Sequence, residues 1–399
     1  MIYGEPFDSG GIAAALGDDA SEHGADGSLD VTGNLLRSGL PFGMHDPQGW
    51  PRFTGWPTFG TMTHQQTYWV WLQRAWLAGL RLVVAQTAED EPLCRIEPVR
   101  SHSCNEPAAI RLQIRTLRRM QRYVDARSGG PGRGWFRLVF SPAQARRVIE
   151  RGKLAVIIGM EASDPLGCTA TPGTPPCTAA QVDRRLKAFR RLGVRAMFVA
   201  HWIDNAFGGA ALEGGTKGAF INVFNRLQTG DWFHTAPCPE AGEGEEVETL
   251  TQGELRVLAG FFPGTSAIAD EGMPAYPPGR QCNAGGLTPL GRHLVRRMMG
   301  LHMLIEVDHL SERARATVLR MAEAARYPLV SSHTDTGGTW TTRDLRRLYA
   351  VGGFATARPD TSAPLATRIL QLARLAPGGV GLGTDTGGFA ALPGPRPDA

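Results

Sequence analysis

Short apolar runs alternate with amphipathic segments along most of the chain, and this alternation is its main structural signal. The run LAVIIGME (154–161) is typical of a buried strand because it is short and almost continuously apolar. The segment VDRRLKAFRRLG (182–193) is typical of an amphipathic helix because its apolar residues recur every three or four positions. The same pattern predicts further strands at 80–86, 135–140, 195–201, 302–309, 328–333, 352–357 and 379–385.

Strands that alternate with helices in this way predict a parallel sheet with helical crossovers. Their order favours an α/β fold of the (β/α)8 TIM-barrel type, although a doubly wound open sheet would give the same local pattern. We expect the barrel to occupy residues 61–390, with an insertion at about 205–285. Residues 1–60 are rich in Gly, Pro and Asp and predict a loop-rich N-terminal segment, and residues 391–399 form a short tail without a closing helix.

Composition excludes some classes of partner. The chain has 399 residues, of which 42% are hydrophobic, which fits one barrel-sized domain with insertions or two smaller domains. Its formal charge is only +4 and the basic residues are spread along helices, so we expect no nucleic-acid partner. No apolar run reaches the length of a membrane span, and the first residues lack the pattern of a signal peptide. The compartment stays open, with an extracytoplasmic location expected if the N-terminus is incomplete.

The six cysteines do not have the spacing of a zinc finger. Cys94 and Cys104 lie close together in a loop-like stretch, as do Cys168 and Cys177. Each pair could form a short-range disulfide, but reduced thiols fit the sequence equally well.

Polar residues suited to metal or proton chemistry stand at the ends of five predicted strands. These residues are Glu161, His201, His309, His333 and Asp385. The carboxyl ends of parallel strands converge on one face of a barrel, where active sites lie, so we expect these side chains to meet. Imidazoles together with carboxylates suit Zn²⁺ or a similar divalent ion. The sequence therefore predicts a metal site that could activate a water molecule for hydrolysis.

Six blocks of the sequence resemble the membrane (renal) dipeptidase family, whose members are metal-dependent hydrolases with an amidohydrolase-like barrel. The blocks occur in family order between about residues 60 and 390, and they read VIIGMEASD, RLGVRAMFVAHWIDNAFGG, GLTPLGRHLVRRMMGLHMLIEVDHLSE, YPLVSSHTD, TRDLRRLYAVGGF and GVGLGTD. The resemblance implies a dipeptidase that cleaves the amide bond of dipeptides or similar small amides by means of a metal-activated water. It also makes a homodimer plausible.

The resemblance implies a metal role for three of the strand-end residues. Glu161 lies where the family has a carboxylate that bridges two metal ions, and His309 and His333 lie where it has two imidazole ligands of one ion. A binuclear zinc centre is therefore expected.

Four further residues take roles in catalysis or substrate binding by the same resemblance. His201 matches a histidine near the scissile carbonyl, and Asp385 matches the acidic residue that handles the catalytic proton. Arg343 matches the position that holds the terminal carboxylate of the substrate, a task that suits a bidentate guanidinium. Asn205 lies in a loop expected to touch the substrate.

The chain departs from the family at its first strand. In the family that strand ends in His-x-Asp or His-x-His and completes the second metal site, and neither spacing occurs here. The sequence most similar to this motif is the pair His45–Asp46, but adjacent residues do not lie on the same face of a strand. His23 and His64 are expected to be structural. Three alternatives therefore remain: a fragment, a degenerate barrel that acts as a binding module, or a hydrolase of another small substrate.

Overall fold

The computed structural model describes residues 17–38, 40–49, 52, 68–168, 176–261, 265–333, 340–358, 362–376, 378–383 and 385. The described helices are α1 (Ala20–His23), α2 (Val31–Ser38), α3 (Trp69–Leu77), α4 (Glu91–Ile96), α5 (Glu106–Arg127), α6 (Pro142–Glu150), α7 (Ala179–Arg191), α8 (Gly215–Thr229), α9 (Gln252–Phe261), α10 (Ser266–Glu271), α11 (Pro289–Gly300), α12 (Glu312–Ala325), α13 (Thr342–Ala350) and α14 (Ser362–Leu375). The described strands are β1 (Leu82–Glu89), β2 (Phe136–Leu138), β3 (Leu154–Ala162), β4 (Ala196–Phe198), β5 (Thr235–Ala236), β6 (Glu245–Glu246), β7 (Arg280–Asn283), β8 (Leu304–Glu306), β9 (Val330–Ser331), β10 (Phe354–Ala357) and β11 (Gly381–Leu382).

Eight of these strands are parallel and carry the fold. β1 pairs with β3 along its whole length, from Leu82–Ala155 to Glu89–Ala162. The other edge of β3 pairs with β2 at its start, and an isolated bridge joins Ile158 to Val194, just ahead of β4. The row then continues in the order β4-β8-β9-β10-β11. The predicted α/β architecture of parallel strands is thus confirmed. Within the described ranges β11 is not paired with β1, so closure of the barrel is not shown.

Helix starts are fixed locally by capping side chains. The hydroxyl groups of Ser141, Thr178, Thr288, Ser311 and Thr341 each accept a hydrogen bond from a backbone N–H of the first helical turn. Each cap provides an acceptor for a backbone N–H group that has no partner within the helix. The capping residues lie directly before the helices. The apolar faces of α7, α11, α12 and α13 pack on the sheet in one large cluster of buried side chains.

The insertion after β4 is more regular than the sequence indicates. It contains α8, α9 and α10 together with a small antiparallel sheet in the order β5-β7-β6. A second apolar cluster, which includes Phe220, Phe224 and Trp232, lies beneath these helices. The insertion is therefore a folded layer, and its apolar cluster also includes Leu35, Leu93 and Ile96 from the N-terminal part of the chain.

All six cysteines form disulfides. The two pairs that the spacing allows, Cys94–Cys104 and Cys168–Cys177, are both present. The third, Cys238–Cys282, spans the insertion and was not foreseen.

The N-terminal segment departs from the prediction in part, because α1 and α2 lie within residues 1–60. His64 lies outside the described residues. None of the helices in the described ranges combines the length and apolar character that a bilayer crossing requires.

Candidate metal centre

Four of the five predicted strand-end residues meet at one point. Glu161 is the penultimate residue of β3, whereas His201, His309 and His333 follow the ends of β4, β8 and β9. The Nε2 atoms of His309 and His333 each lie 3.5 Å from Oε1 of Glu161, and Nε2 of His201 lies 3.7 Å from it. The two Nε2 atoms of His309 and His333 are 2.8 Å apart. Adjacent parallel strands thus bring residues far apart in sequence to one edge of the sheet.

A further carboxylate, Asp90, faces this group. Its Oδ2 atom lies 3.6 Å from Nδ1 of His201 and accepts a hydrogen bond of 2.5 Å from the hydroxyl of Ser163. Asp90 follows β1 directly, and β1 is the strand beside β3. The sequence analysis did not identify Asp90. The available signal was the acidic run at 89–91 that ends a predicted strand.

Burial controls the charge of these groups. Burial raises the pKa of Glu161 to about 7, although the neighbouring His333 lowers it, and Asp385 and Asp308 raise it. Burial also holds the pKa of His309 well below its usual value, and the nearby His201 and His333 act in the same direction. His309 is therefore a neutral imidazole at pH 7, the form that binds a metal.

Asp308 holds the ligand-bearing loops in place. Its carboxylate accepts hydrogen bonds from the backbone N–H of His333 at 3.0 Å, the hydroxyl of Ser331 at 2.7 Å and the indole N–H of Trp340 at 3.1 Å. The next residue, His309, has a φ of 62°, in the left-handed region that non-glycine residues rarely adopt. The backbone is thus bent to direct His309 toward Glu161, with Asp308 pointing the other way.

Asp385 lies near this group rather than within it. Its φ is 48°, and its side chain is exposed. Gly383 lies against the backbone carbonyl of Ser332, where a Cβ would overlap, so only glycine allows β11 to approach the end of β9 this closely. The charge of Asp385 still reaches Glu161, because it contributes to the raised pKa of that carboxyl.

Comparison with known proteins gives one family match. Residues 245–341 match the sequence profile of the membrane dipeptidase family, peptidase family M19. The match covers about a quarter of the chain, and over these residues the chain is similar to that family. The matched residues include His309 and His333, whereas Glu161 and His201 lie before the match. Among curated protein sequences, none matches the chain significantly.

One solved structure supports the fold at a TM-score of 0.50, and two others are similar at lower scores. A metallopeptidase from Rhodobacter sphaeroides, liganded with a phosphinate mimic of the dipeptide L-Ala-D-Ala, shares 18% identity over 81% of this chain and 78% of its own, with a TM-score of 0.50. The dipeptidase AC, a metallopeptidase of family M19, shares 18% identity over 91% of this chain and 80% of its own, with a TM-score of 0.49. An amidohydrolase from Pseudomonas aeruginosa shares 14% identity over 78% and 69%, with a TM-score of 0.46.

Membrane dipeptidases are metallopeptidases, and the residues present fit a divalent ion. Around the meeting point, three buried atoms have no hydrogen-bond partner among the described residues: Oε1 of Glu161, Oδ1 of Asp90 and Nδ1 of His201. A buried carboxylate without a partner is costly unless a cation neutralises it. Ligands of a tetrahedral zinc ion lie roughly 3.3 Å apart, and the separations of 2.8 to 3.7 Å around Glu161 scatter about that value.

Two residues predicted to bind substrate make hydrogen bonds within the chain. Arg343 lies in the first turn of α13 and is largely exposed, and its guanidinium donates a 2.5 Å hydrogen bond to Glu240 of the insertion. Asn205 holds two loops together, because its amide donates to the carbonyls of Ser163 and Val199 and accepts from the backbone N–H groups of Phe207 and Gly208. Their contacts with substrate stay predictions.

Proposed function

We propose that this chain is a metal-dependent dipeptidase that hydrolyses the amide bond of dipeptides or similar small amides. The observation that carries the proposal is the convergence of His201, His309 and His333 on one oxygen of Glu161 at the ends of parallel strands. The dipeptide mimic in the Rhodobacter sphaeroides metallopeptidase supports the same class of substrate.

The proposed cofactor is zinc in a binuclear centre. Glu161, His309 and His333 would hold the ions, and Asp90 lies where it could supply a carboxylate that the missing first-strand residues do not. When bound, divalent ions lower the pKa of a water molecule and polarise the scissile carbonyl.

The side chains around the centre would complete the reaction. The water oxygen bonds to the amide carbon, the C–N bond breaks, and the two products are a free carboxylate and a free amine. His201 would donate a hydrogen bond to the carbonyl oxygen as charge develops on it. Asp385, which is solvent-exposed beside the centre, would take the proton of the water and pass it to the departing amine. Arg343 would leave Glu240 and bind the terminal carboxylate of the substrate.

The test is release of free amino acids from a panel of dipeptides by the zinc-loaded chain. We expect turnover that a chelator abolishes and that falls by at least about a hundredfold in Glu161→Gln and His333→Ala, because both remove ligands. His234→Gln is the matched control, since His234 lies on the surface of the insertion and its side chain pairs with nearby Asp231. A folded chain that releases no amino acid with metal present would contradict the proposal and favour the binding-module alternative.

The substrate class can be tested separately. A dipeptide offers Arg343 a carboxylate partner, and its C-terminal amide does not. We expect the amide to react more slowly with the wild-type chain, and the difference to disappear in Arg343→Ala. Equal rates on both substrates would instead favour a hydrolase of another small substrate.

Two properties of the whole protein belong to the same proposal. The three disulfides support an oxidising, extracytoplasmic location. The family also leads us to propose a homodimer, which the molar mass in solution tests.

A further inference from the structure

A second group of potential ligands lies in the N-terminal segment, away from the strand ends. It consists of His23 at the end of α1, Asp30 just ahead of α2, and His45 in the stretch that follows α2. Nδ1 of His23 lies 3.0 Å from Nε2 of His45, and Oδ2 of Asp30 lies 3.9 and 3.8 Å from these two atoms. All three side chains are at most 10% exposed.

The backbone is built to hold these side chains together. The side-chain amide of Asn34 donates to the carbonyls of Gly27 and Gly43, so it ties the turn that carries Asp30 to the stretch that carries His45. The backbone N–H of His45 donates to the carbonyl of Asp26 at 2.8 Å. Gly27 has a φ of 76°, and a Cβ there would lie 2.6 Å from the imidazole of His45. Only glycine leaves room for that ring.

The carboxylate of Asp30 is already oriented. Its Oδ1 atom accepts a hydrogen bond of 2.9 Å from the backbone N–H of Gly33, in the first turn of α2. Its Oδ2 atom is therefore directed toward the two imidazoles. A ligand held in this way by a second hydrogen bond is typical of metal sites.

We propose that His23, Asp30 and His45 bind one divalent transition-metal ion, with Zn²⁺ as the preferred ion. Two imidazoles and one carboxylate are a ligand set that Zn²⁺ accepts, with a fourth position for water. The separations of 3.0, 3.8 and 3.9 Å scatter around the roughly 3.3 Å between neighbouring ligands of a tetrahedral zinc ion. None of the three residues belongs to the group around Glu161, so this ion is additional to any at the strand ends.

The ion would hold three parts of the N-terminal segment together. It would link the end of α1, the turn before α2 and the stretch after α2, in addition to the backbone hydrogen bonds from Leu29 to His23 and from His45 to Asp26. A water ligand at the fourth position would leave the ion able to exchange. The proposal does not depend on hydrolytic activity.

The rival explanation is a plain hydrogen bond between the two imidazoles, with Asp30 fixing the tautomer of one of them. Both explanations predict a buried cluster, but only the metal site predicts that the cluster retains an ion. Asp30→Asn separates them. The asparagine carbonyl can still accept from Gly33, which preserves the turn, while the negative charge that a cation requires is lost.

The experiment counts zinc per chain by elemental mass spectrometry after dialysis of the full chain against Zn²⁺ and then against buffer. The background is the double variant Glu161→Gln, His333→Ala, in which the strand-end centre is disabled. We expect about one ion per chain in this background, and none when Asp30→Asn or His45→Gln is added. His234→Gln, added in the same way, should leave the count unchanged because its side chain is 73% exposed and outside the cluster.

Single variants show whether a loss of metal in the multiple variants results from the missing ligand or from poor folding. The single variants Asp30→Asn and His45→Gln are made in the wild-type chain, and far-UV circular dichroism confirms that they fold. Each should bind about one ion fewer than wild type, and dipeptidase activity need not be present for the count. No loss of metal in these folded single variants, or no ion in a folded background variant, would overturn the proposal.

Discussion

Asp204 shows at the residue scale how a buried carboxyl makes stability depend on pH. Its Oδ1 atom accepts hydrogen bonds from the backbone N–H of Ala210 at 2.8 Å and from the amide of Asn283 at 2.7 Å. Burial nevertheless raises its pKa from 3.8 to about 6. The folded chain therefore holds this proton more tightly than the unfolded chain does, and the free energy of unfolding falls as pH rises from about 4 past 6.

We expect Asp204→Asn to remove this dependence, because the amide cannot ionise and its oxygen can accept both hydrogen bonds. Relative to wild type, the variant should gain up to about 3 kcal/mol of stability between pH 4 and pH 7, the value of a shift of about two pKa units. Urea denaturation of both chains at the two pH values measures it. The same stability difference at both pH values would contradict the prediction.

The strand-end residues could be predicted from the sequence because polar residues interrupt apolar runs there. Glu161, His201, His309 and His333 are brought together as expected. Asp90 was missed because it stands in an acidic run that resembles a solvated loop. The pairing of His23 with His45 was missed because it depends on a turn held by Asn34, which no periodicity reveals.

At the scale of elements, Arg315 joins the insertion to the main sheet. It lies on α12 with 1% of its side chain exposed. Its guanidinium donates to Glu243 of the insertion at 3.0 Å, lies 3.5 Å from Asp344 of α13, and covers the ring of Trp340 at 4.9 Å. Three separate parts of the chain therefore meet at one buried cation.

Arg315→Ala should lower the free energy of unfolding by about 3–5 kcal/mol, because it leaves Glu243 buried without its cation and leaves Asp344 with Arg347 as its cation. Arg320→Ala on the same helix is the control, since this exposed side chain should change stability by no more than about 0.5 kcal/mol. Urea denaturation compares the two variants. Equal losses would show that the buried ion pairs contribute little to the attachment of the insertion.

The long strands and helices could be predicted because their periodicity extends over many residues. The sheet of the insertion could not, since β5 and β6 have only two residues each and too few positions to alternate. They pair with β7, which carries Cys282, and the Cys238–Cys282 disulfide joins residues 44 positions apart. Spacing identifies only disulfides between near neighbours.

At the scale of the whole molecule, the disulfides should stabilise the fold according to the length of chain that each encloses. Cys238–Cys282 closes a loop of 44 residues, whereas Cys168–Cys177 closes one of 9. Chain entropy predicts losses of about 4 and about 3 kcal/mol when the respective pairs are replaced by serine. Denaturation of both double variants against wild type measures the order. A larger loss for the Cys168–Cys177 pair would show that native contacts outweigh loop entropy.

The order of parallel strands could be predicted from the alternation of elements, but closure of the barrel could not. Alternation specifies neighbours along the chain, and those neighbours do pair from β8 to β11. Closure depends on contacts between the two ends of the row, and local patterning carries no information about them.

The ligands around Glu161 come from separate strands, with His333 the last of them along the chain. A metal ion can therefore be bound by all of these side chains only after β3, β4, β8 and β9 have assembled side by side. Its capture would be a late event in folding, because a chain that has not yet formed this row of strands does not bring the four side chains together.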